Sequence, residues 1–223
     1  MNPEALPVSI AGRRFELLPG RGLLWPDRRA LLVADLHLGK DASFRAAGMG
    51  VPSSSTDATL QSVSEMIQGA EVQELYILGD LFHARSSLSL HATQSFEAFC
   101  RHHAGVAIVL IRGNHDRAVG QLPKRWPMTV IPDQLEVDGV RMTHHPGPCT
   151  EDAELLVCGH LHPAYELQTR SESTGKQPAF WWDSRRRCLV LPAVGQFTGT
   201  AKVTARPGDH VWIVADEQVH RVA

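Results

Sequence analysis

The chain has 223 residues, 43% of them hydrophobic and 21% charged, with a formal net charge of −2 at pH 7. This is ordinary globular usage in a length that predicts one domain with a substantial core, and the near-neutral balance excludes a global field that would attract a polyanion. No apolar run approaches the roughly 18 residues of a membrane span. The first residues, MNPEALPVSIAGRRFELL, lack the basic-then-apolar layout of a signal peptide, and Cys100, Cys149, Cys158 and Cys188 form no C-x-x-C pair, so a cytoplasmic protein with reduced thiols is expected.

Residues 7–18 read as a hairpin turning near Gly12, and Gly22–Trp25 with Arg29–Ala34 as a second pair turning at Pro26-Asp27. Leu38–Ser55 reads as a loop, rich in Gly and Ser and long enough to suspect a function. Ser53–Asp57 offers caps for a helix to about Gln68, with Leu60, Val63 and Ile67 at helical spacing. Leu75–Leu78 is a predicted strand, Leu88–His103 a second helix and Val106–Ile111 a further strand, an alternation that predicts a largely parallel sheet. Then the pattern changes to short strands: Thr129–Ile131, Leu135–Val137, Val140–Thr143, Leu155–Cys158, Tyr165–Thr169, Phe180–Trp182, Cys188–Leu191, Val211–Val214 and Val219–Val222. Asp138-Gly139 is a good hairpin signal among them, and Ser171–Gln177 reads as a mobile surface loop. A βαβ half followed by a β-rich half predicts an α/β protein of two sheets packed face to face with helices outside, in one domain over 1–223.

Five apolar runs stop abruptly in Asp, Asn or His: LLVADLH at Asp35 and His37, LYILGD at Asp80, IVLIRGNHD at Asn114–Asp116, VRMTHH at His144–His145, and LLVCGHLH at His160 and His162. In open α/β sheets the carboxyl ends of strands are where ligands sit. Asp and Asn also favour turns for purely structural reasons, but five such endings in order supply enough donors for a two-metal site. Carboxylate, imidazole and amide donors together suit Mn²⁺, Fe²⁺ or Zn²⁺. Two such ions can clamp the attacking and leaving oxygens of a phosphoryl displacement.

Asp35-x-His37, Gly79-Asp80, Gly113-Asn114-His115-Asp116, a later single His and Gly159-His160-x-His162 resemble the five signature blocks of the calcineurin-like metallophosphoesterases, in that family's order. The resemblance implies an α/β/β/α sandwich and two divalent ions, Mn²⁺ foremost. One ion would be held by Asp35, His37, Asp80 and His162, the other by Asp80, Asn114, His144 and His160. His115 would be the unliganded acid, oriented by Asp116, and the attacking group water or hydroxide between the ions. In the fourth block His144 aligns with the family's His; on a strand its neighbour His145 would point the other way. ADLHLGKDASFRAAGMGVP, LGDLFHAR, THHP, GHLHPA and LPAVGQFTG are further similar to the bacterial DNA-ligase-associated metallophosphoesterases. That likeness implies a Mn²⁺-dependent phosphodiesterase or endonuclease of DNA repair, with an ATP-dependent ligase and a helicase as functional associates. The alternatives are a phosphatase or pyrophosphohydrolase acting on nucleotides, phosphoproteins or lipid-linked diphosphates, and an inactive scaffold.

Other residues stay open to two readings. His83, Arg45 and Arg85 follow motif blocks and could meet a substrate phosphate or be ordinary surface groups; Lys40 reads more as a solvated charge. PAFWWDSRRRC and Lys124-Arg125-Trp126 mix aromatic and basic residues, as nucleic-acid platforms do. The first reads rather more as a hairpin with Asp183-Ser184-Arg185 at its turn.

Overall fold

The computed structural model describes residues 5–46, 48, 55–168, 173–196 and 198–223. Much of the expected 38–55 loop, and the start of the expected 171–177 loop, lie outside these residues.

The first sheet contains β1 (Leu6–Ile10), β2 (Arg13–Leu17), β3 (Leu23–Trp25), β4 (Ala30–Val33), β5 (Glu74–Ile77), β6 (Ala107–Ile111) and β7 (Met128–Ile131), in that spatial order. β1 to β4 pair antiparallel, and β4 to β7 are parallel. Four helices accompany it: α1 (Lys40–Ala46), α2 (Ser55–Gly69), α3 (Leu90–His102) and α4 (Asn114–Val119). The second sheet comprises β8 (Gln134–Val137), β9 (Val140–Thr143), β10 (Leu155–Cys158), β11 (Pro163–Gln168), β12 (Ser173–Asp183), β13 (Cys188–Val190), β14 (Ala201–Lys202), β15 (His210–Ala215) and β16 (Gln218–Arg221). Within it β9, β10 and β13 run parallel.

The alternation of side chains along a strand builds two cores. Leu31, Val33, Leu75, Ile77, Ile108 and Leu110 face one way, onto Leu60, Val63, Met66 and Ile67 of α2 and Phe96, Phe99 and Cys100 of α3. Leu32, Tyr76, Leu78 and Ile111 face the other way, onto Val140, Met142, Leu155, Val157, Phe180 and Leu189 of the second sheet. Being covered on both sides is why β4 reads as an unbroken apolar run. Each buried Leu, Ile or Phe contributes about 1.5–3 kcal/mol of transfer free energy. This is the expected two-sheet α/β sandwich. Among the described residues the helices cover the first sheet, and the outer face of the second carries a small cluster of Leu156, Cys158, Cys188 and Val190, with Cys149 and Leu161 on it.

Three local expectations are corrected. Residues 40–46 form a helix, held by polar contacts rather than an apolar stripe: Asp41 is buried and accepts from Arg45 at 2.9 Å and from Thr56 Oγ1 at 3.4 Å. β7 belongs to the parallel sheet, because the six-residue α4 carries the chain across to it. Ser173–Gln177 belongs to β12, paired with β11, and not to a loop.

Candidate metal centre

The donors converge because the chain turns sharply as it leaves β4, β5 and β10. Asp35, His37, Asp80, His160 and His162 have φ of 55°, 46°, 52°, 72° and 47°, the left-handed region that costs an L residue on the order of 1 kcal/mol or more. Such strain persists where the surroundings over-determine it. Here Asp35 N donates to Gly79 O, His37 N to Asp80 O, and Gly159 N to His144 O, lacing the strand exits together. Two motif glycines are steric necessities: a Cβ at Gly113 would stand 2.2 Å from Asp80 Oδ1, and one at Gly159 would stand 2.5 Å from Asp35 Oδ2.

The structure brings all seven expected ligands into one cluster. On one side His162 Nε2 lies 3.3 Å from Asp35 Oδ1 and 3.3 Å from His37 Nε2. On the other His144 Nε2 lies 3.0 Å from Asn114 Oδ1 and 3.1 Å from His160 Nδ1. Asp80 stands between them, with Oδ2 3.4 Å from His144 Nε2 and 3.9 Å from His37 Nε2.

Whether the donors fit cations can be tested on their lone pairs. His144 Nδ1 is 2.9 Å from the carbonyl of Leu78, and His162 Nδ1 is 2.8 Å from that of Gly199. A carbonyl accepts only, so both Nδ1 atoms carry protons, and the neutral rings aim bare Nε2 lone pairs at oxygens and at other imidazoles. Among the described residues Asp35 Oδ1 is buried and accepts no hydrogen bond. Such convergence is repulsive unless a proton or a metal ion lies within it, so the set fits divalent cations. The titration behaviour agrees. Burial pushes the imidazoles down; even so, Asp80 and Asp35 hold His144 above its ordinary value, and Asp35 does the same for His162. Burial drives His37 to about 2. Burial alone would raise the Asp80 carboxyl, but the facing His144, His37 and His115 bring it to about 2.

His115 opens α4 beside this cluster. Its amide donates to Asp80 Oδ1 at 2.9 Å, its Nε2 is 3.9 Å from Asp80 Oδ2, and its Nδ1 is 2.5 Å from the carbonyl of His83. The orientation assigned to Asp116 is therefore supplied by the His83 backbone. Asp116 is fully buried and accepts from the amides of Asp80, Leu81, Phe82 and Gly113, at 2.7 to 3.4 Å, which ties the Asp80 turn to α4.

The remaining candidates separate. The His83 ring stacks on His115 with centroids 4.8 Å apart, its Nδ1 is 3.3 Å from His37 Nδ1, and burial lowers it to about 4. Arg45 is paired with Asp41, and Arg85 is exposed. His145 is exposed, yet its ring lies on His160 at 4.2 Å, because β9 has ended and alternation no longer applies. Lys40 is buried, against expectation, and its ammonium helps to depress His37 and His83. The tryptophans of both aromatic–basic stretches pack inward while their basic residues stay exposed: Trp126 is buried with Phe82 and Phe96, and the half-buried Trp181 and Trp182 pack on opposite faces of β12, with Asp183 Oδ1 accepting from the amides of Arg185 and Arg186. Sequence reasoning attaches no role to Gly195 and Gly199, which bond to Asp35 and His162 (Gly195 N to Asp35 O, 3.0 Å); the only sequence signal is the stretch LPAVGQFTG.

A two-sheet sandwich with Asp, Asn and His donors gathered at its strand exits defines a class, and the family comparison agrees. Residues 28–141, just over half of the chain, match the model for calcineurin-like phosphoesterases. The chain belongs to that family of phosphoesterases. Among solved structures it is similar to the Pseudomonas putida nuclease MPE, at 31% identity and a TM-score of 0.83, covering 98% of this chain and 100% of that one. Among curated proteins it is similar to the UDP-2,3-diacylglucosamine hydrolases of Pectobacterium carotovorum, at 33% identity over 131 residues, and Pectobacterium atrosepticum, at 28% over 131 residues. Those matches cover 55% of this chain, which spans about half the length of these curated relatives. Among the described residues no helix is long and apolar enough to cross a membrane.

Proposed function

We propose that this chain is a two-metal phosphodiesterase that cuts DNA. One ion would be held by Asp35, His37, Asp80 and His162, the other by Asp80, Asn114, His144 and His160, with Mn²⁺ first and Fe²⁺ or Zn²⁺ as alternatives. Bound divalent ions supply Lewis acidity at the phosphoryl oxygens and a lowered pKa for water. The chain supplies the rest. The laced strand exits hold the donors in place. His115, with Nδ1 engaged by the His83 carbonyl, presents Nε2 to the leaving oxygen and delivers a proton there. Asp116 keeps the Asp80 turn and α4 in register.

The observation that carries this reading is the likeness over nearly the full length to a nuclease. The resemblance to the ligase-associated enzymes adds DNA repair, a cytoplasmic setting, and ligase and helicase associates. The half-length matches favour a second reading, hydrolysis of a lipid-linked diphosphate. An acylated substrate calls for apolar surface. Among the described residues only Leu90 and Val130 are large, apolar and exposed, and neither belongs to the site.

The test compares Mn²⁺-dependent turnover of bis(p-nitrophenyl) phosphate with that of p-nitrophenyl phosphate, then single-stranded, duplex and nicked DNA with UDP-2,3-diacylglucosamine. Cleavage of the diester and of DNA is expected. Turnover of the monoester alone, or of the lipid alone, would overturn the reading. No bound metal and no gain with Mn²⁺ would point to a scaffold.

A further inference from the structure

A groove of about 480 Å³ opens beside His162, between the turn joining β2 to β3, the strand β12 and residues 193–196 and 198–200. Its lining includes Arg21, Lys176, Gln196, Thr198 and Thr200. The volume suits a ligand the size of a nucleotide.

Arg21 is placed with care. Its turn is closed by hydrogen bonds from Leu18 N to Gly22 O and from Arg21 N to Leu18 O, each 2.9 Å. Its own φ is +69°. The flanking Gly20 and Gly22 press on α2 so closely that a Cβ on either would stand 2.7 Å from the Met66 sulfur. The guanidinium is half-buried, and among the described residues its one polar partner is the carbonyl of Ala193, at 3.2 Å. A guanidinium has five N–H donors, and a half-buried one without an anion is electrostatically incomplete. Burial without a carboxylate lowers its pKa. Several other cations have a carboxylate partner (Arg13 with Glu154, Arg28 with Glu74, Arg141 with Glu136, Lys202 with Glu166), whereas Arg21, like Arg112, is held by carbonyl oxygen alone among the described residues. Lys176, across the groove, is exposed and has no ion pair among the described residues.

The wall that carries Gln196, Thr198 and Thr200 is fixed to the metal centre. Val194 N donates to Ala34 O and Gly195 N to Asp35 O, while Gly199 O accepts from His162. A ligand seated here is therefore indexed to the donors on the Asp35 side.

We propose that this groove is a phosphate subsite for a polynucleotide strand, which seats a phosphate neighbouring the one attacked, with Arg21 as the fixed anchor and Lys176 as the mobile one. It rests on the phosphodiesterase reading above. The contact proposed is to the phosphate backbone, and such a contact is independent of sequence.

The test uses a short single-stranded DNA oligonucleotide beside bis(p-nitrophenyl) phosphate, which has one phosphate only. For Arg21→Gln the ratio of kcat/KM on the oligonucleotide to that on the small diester should fall about tenfold, through KM, as loss of one charge-assisted contact implies. Lys176→Gln should lower it severalfold, and being on an exposed strand position it serves if Arg21→Gln misfolds. The slope of log binding constant against log salt for the oligonucleotide should drop by about 0.7 for each cation removed. Equal losses on both substrates would make Arg21 a mere support for the 193–200 wall, and an unchanged ratio and slope would overturn the subsite directly. Wild-type protein that cleaves the small diester but neither binds nor cuts DNA would overturn the reading beneath it, and the subsite with it.

Discussion

The two donor groups on either side of Asp80 are built from different materials. The Asp35 side combines a fully buried carboxylate with His37 and His162, and its backbone is tied to Val194 and Gly195. The Asn114 side has a neutral amide, His144 and His160; its Asn114 is exposed, and the exposed His145 lies against His160. If Asp80 is shared, the first side owns an additional full negative charge and the second does not. Anionic charge and rigidity both strengthen the hold on a hard divalent ion. If each side holds an ion as proposed, the Asp35 side is expected to be the tighter position and the Asn114 side the weaker, solvent-reachable one.

The largest effect belongs to the residue between them. Asp80→Ala should abolish the contrast by emptying both positions, with metal analysis falling towards zero and turnover with it. Retention of one ion would mean that Asp80 serves one side only. His115→Ala should leave both positions filled, since this ring is an acid in the proposed scheme and not a ligand. Turnover should fall by about 10²–10⁴, the usual contribution of a positioned proton donor. Metal loss equal to that of Asp80→Ala would contradict the role.

The strand exits were legible because an apolar run that stops at a donor is a local signal, carried by neighbours in sequence. Leu31–Val33 and Leu155–Cys158 are buried on both faces, so nothing else explains where they stop. α1 and α4 were not legible. Each is under two turns, and Asp41, Arg45 and Asp116 hold them through polar contacts that periodicity does not register. His144 was favoured on family alignment, and it does face Asp80; the inference that His145 points away failed because alternation ends with β9 at Thr143. Arg21 lies 14 residues before Asp35 in a turn with no motif, and only folding brings it to the segment 193–200. The tryptophan–arginine stretches show the reverse case: a composition suited to nucleic acid whose aromatic half packs against the core and whose basic half stays exposed.

The smallest effect is graded and separates the two sides by pH. Burial opposes protonation of His144, but Asp80 and Asp35 outweigh it and raise the ring above its ordinary 6.5. His162 is raised by Asp35 in the same way, with the Lys40 ammonium working against the rise. An imidazole with a raised pKa keeps its proton at and somewhat above pH 6.5, and an ion can bind only after displacing it. Affinity for Mn²⁺ should therefore fall with acidification, by about tenfold per pH unit for each proton displaced. Both sides thus release a proton when an ion binds, and the Asn114 side, with a neutral amide in place of the Asp35 carboxylate, is the weaker competitor for its ion. Mn²⁺ titrations followed by electron paramagnetic resonance at pH 8, 7 and 6 should show that side emptying first. Simultaneous loss, or loss from the Asp35 side first, would mean that the charge difference across Asp80 does not set the order of affinity.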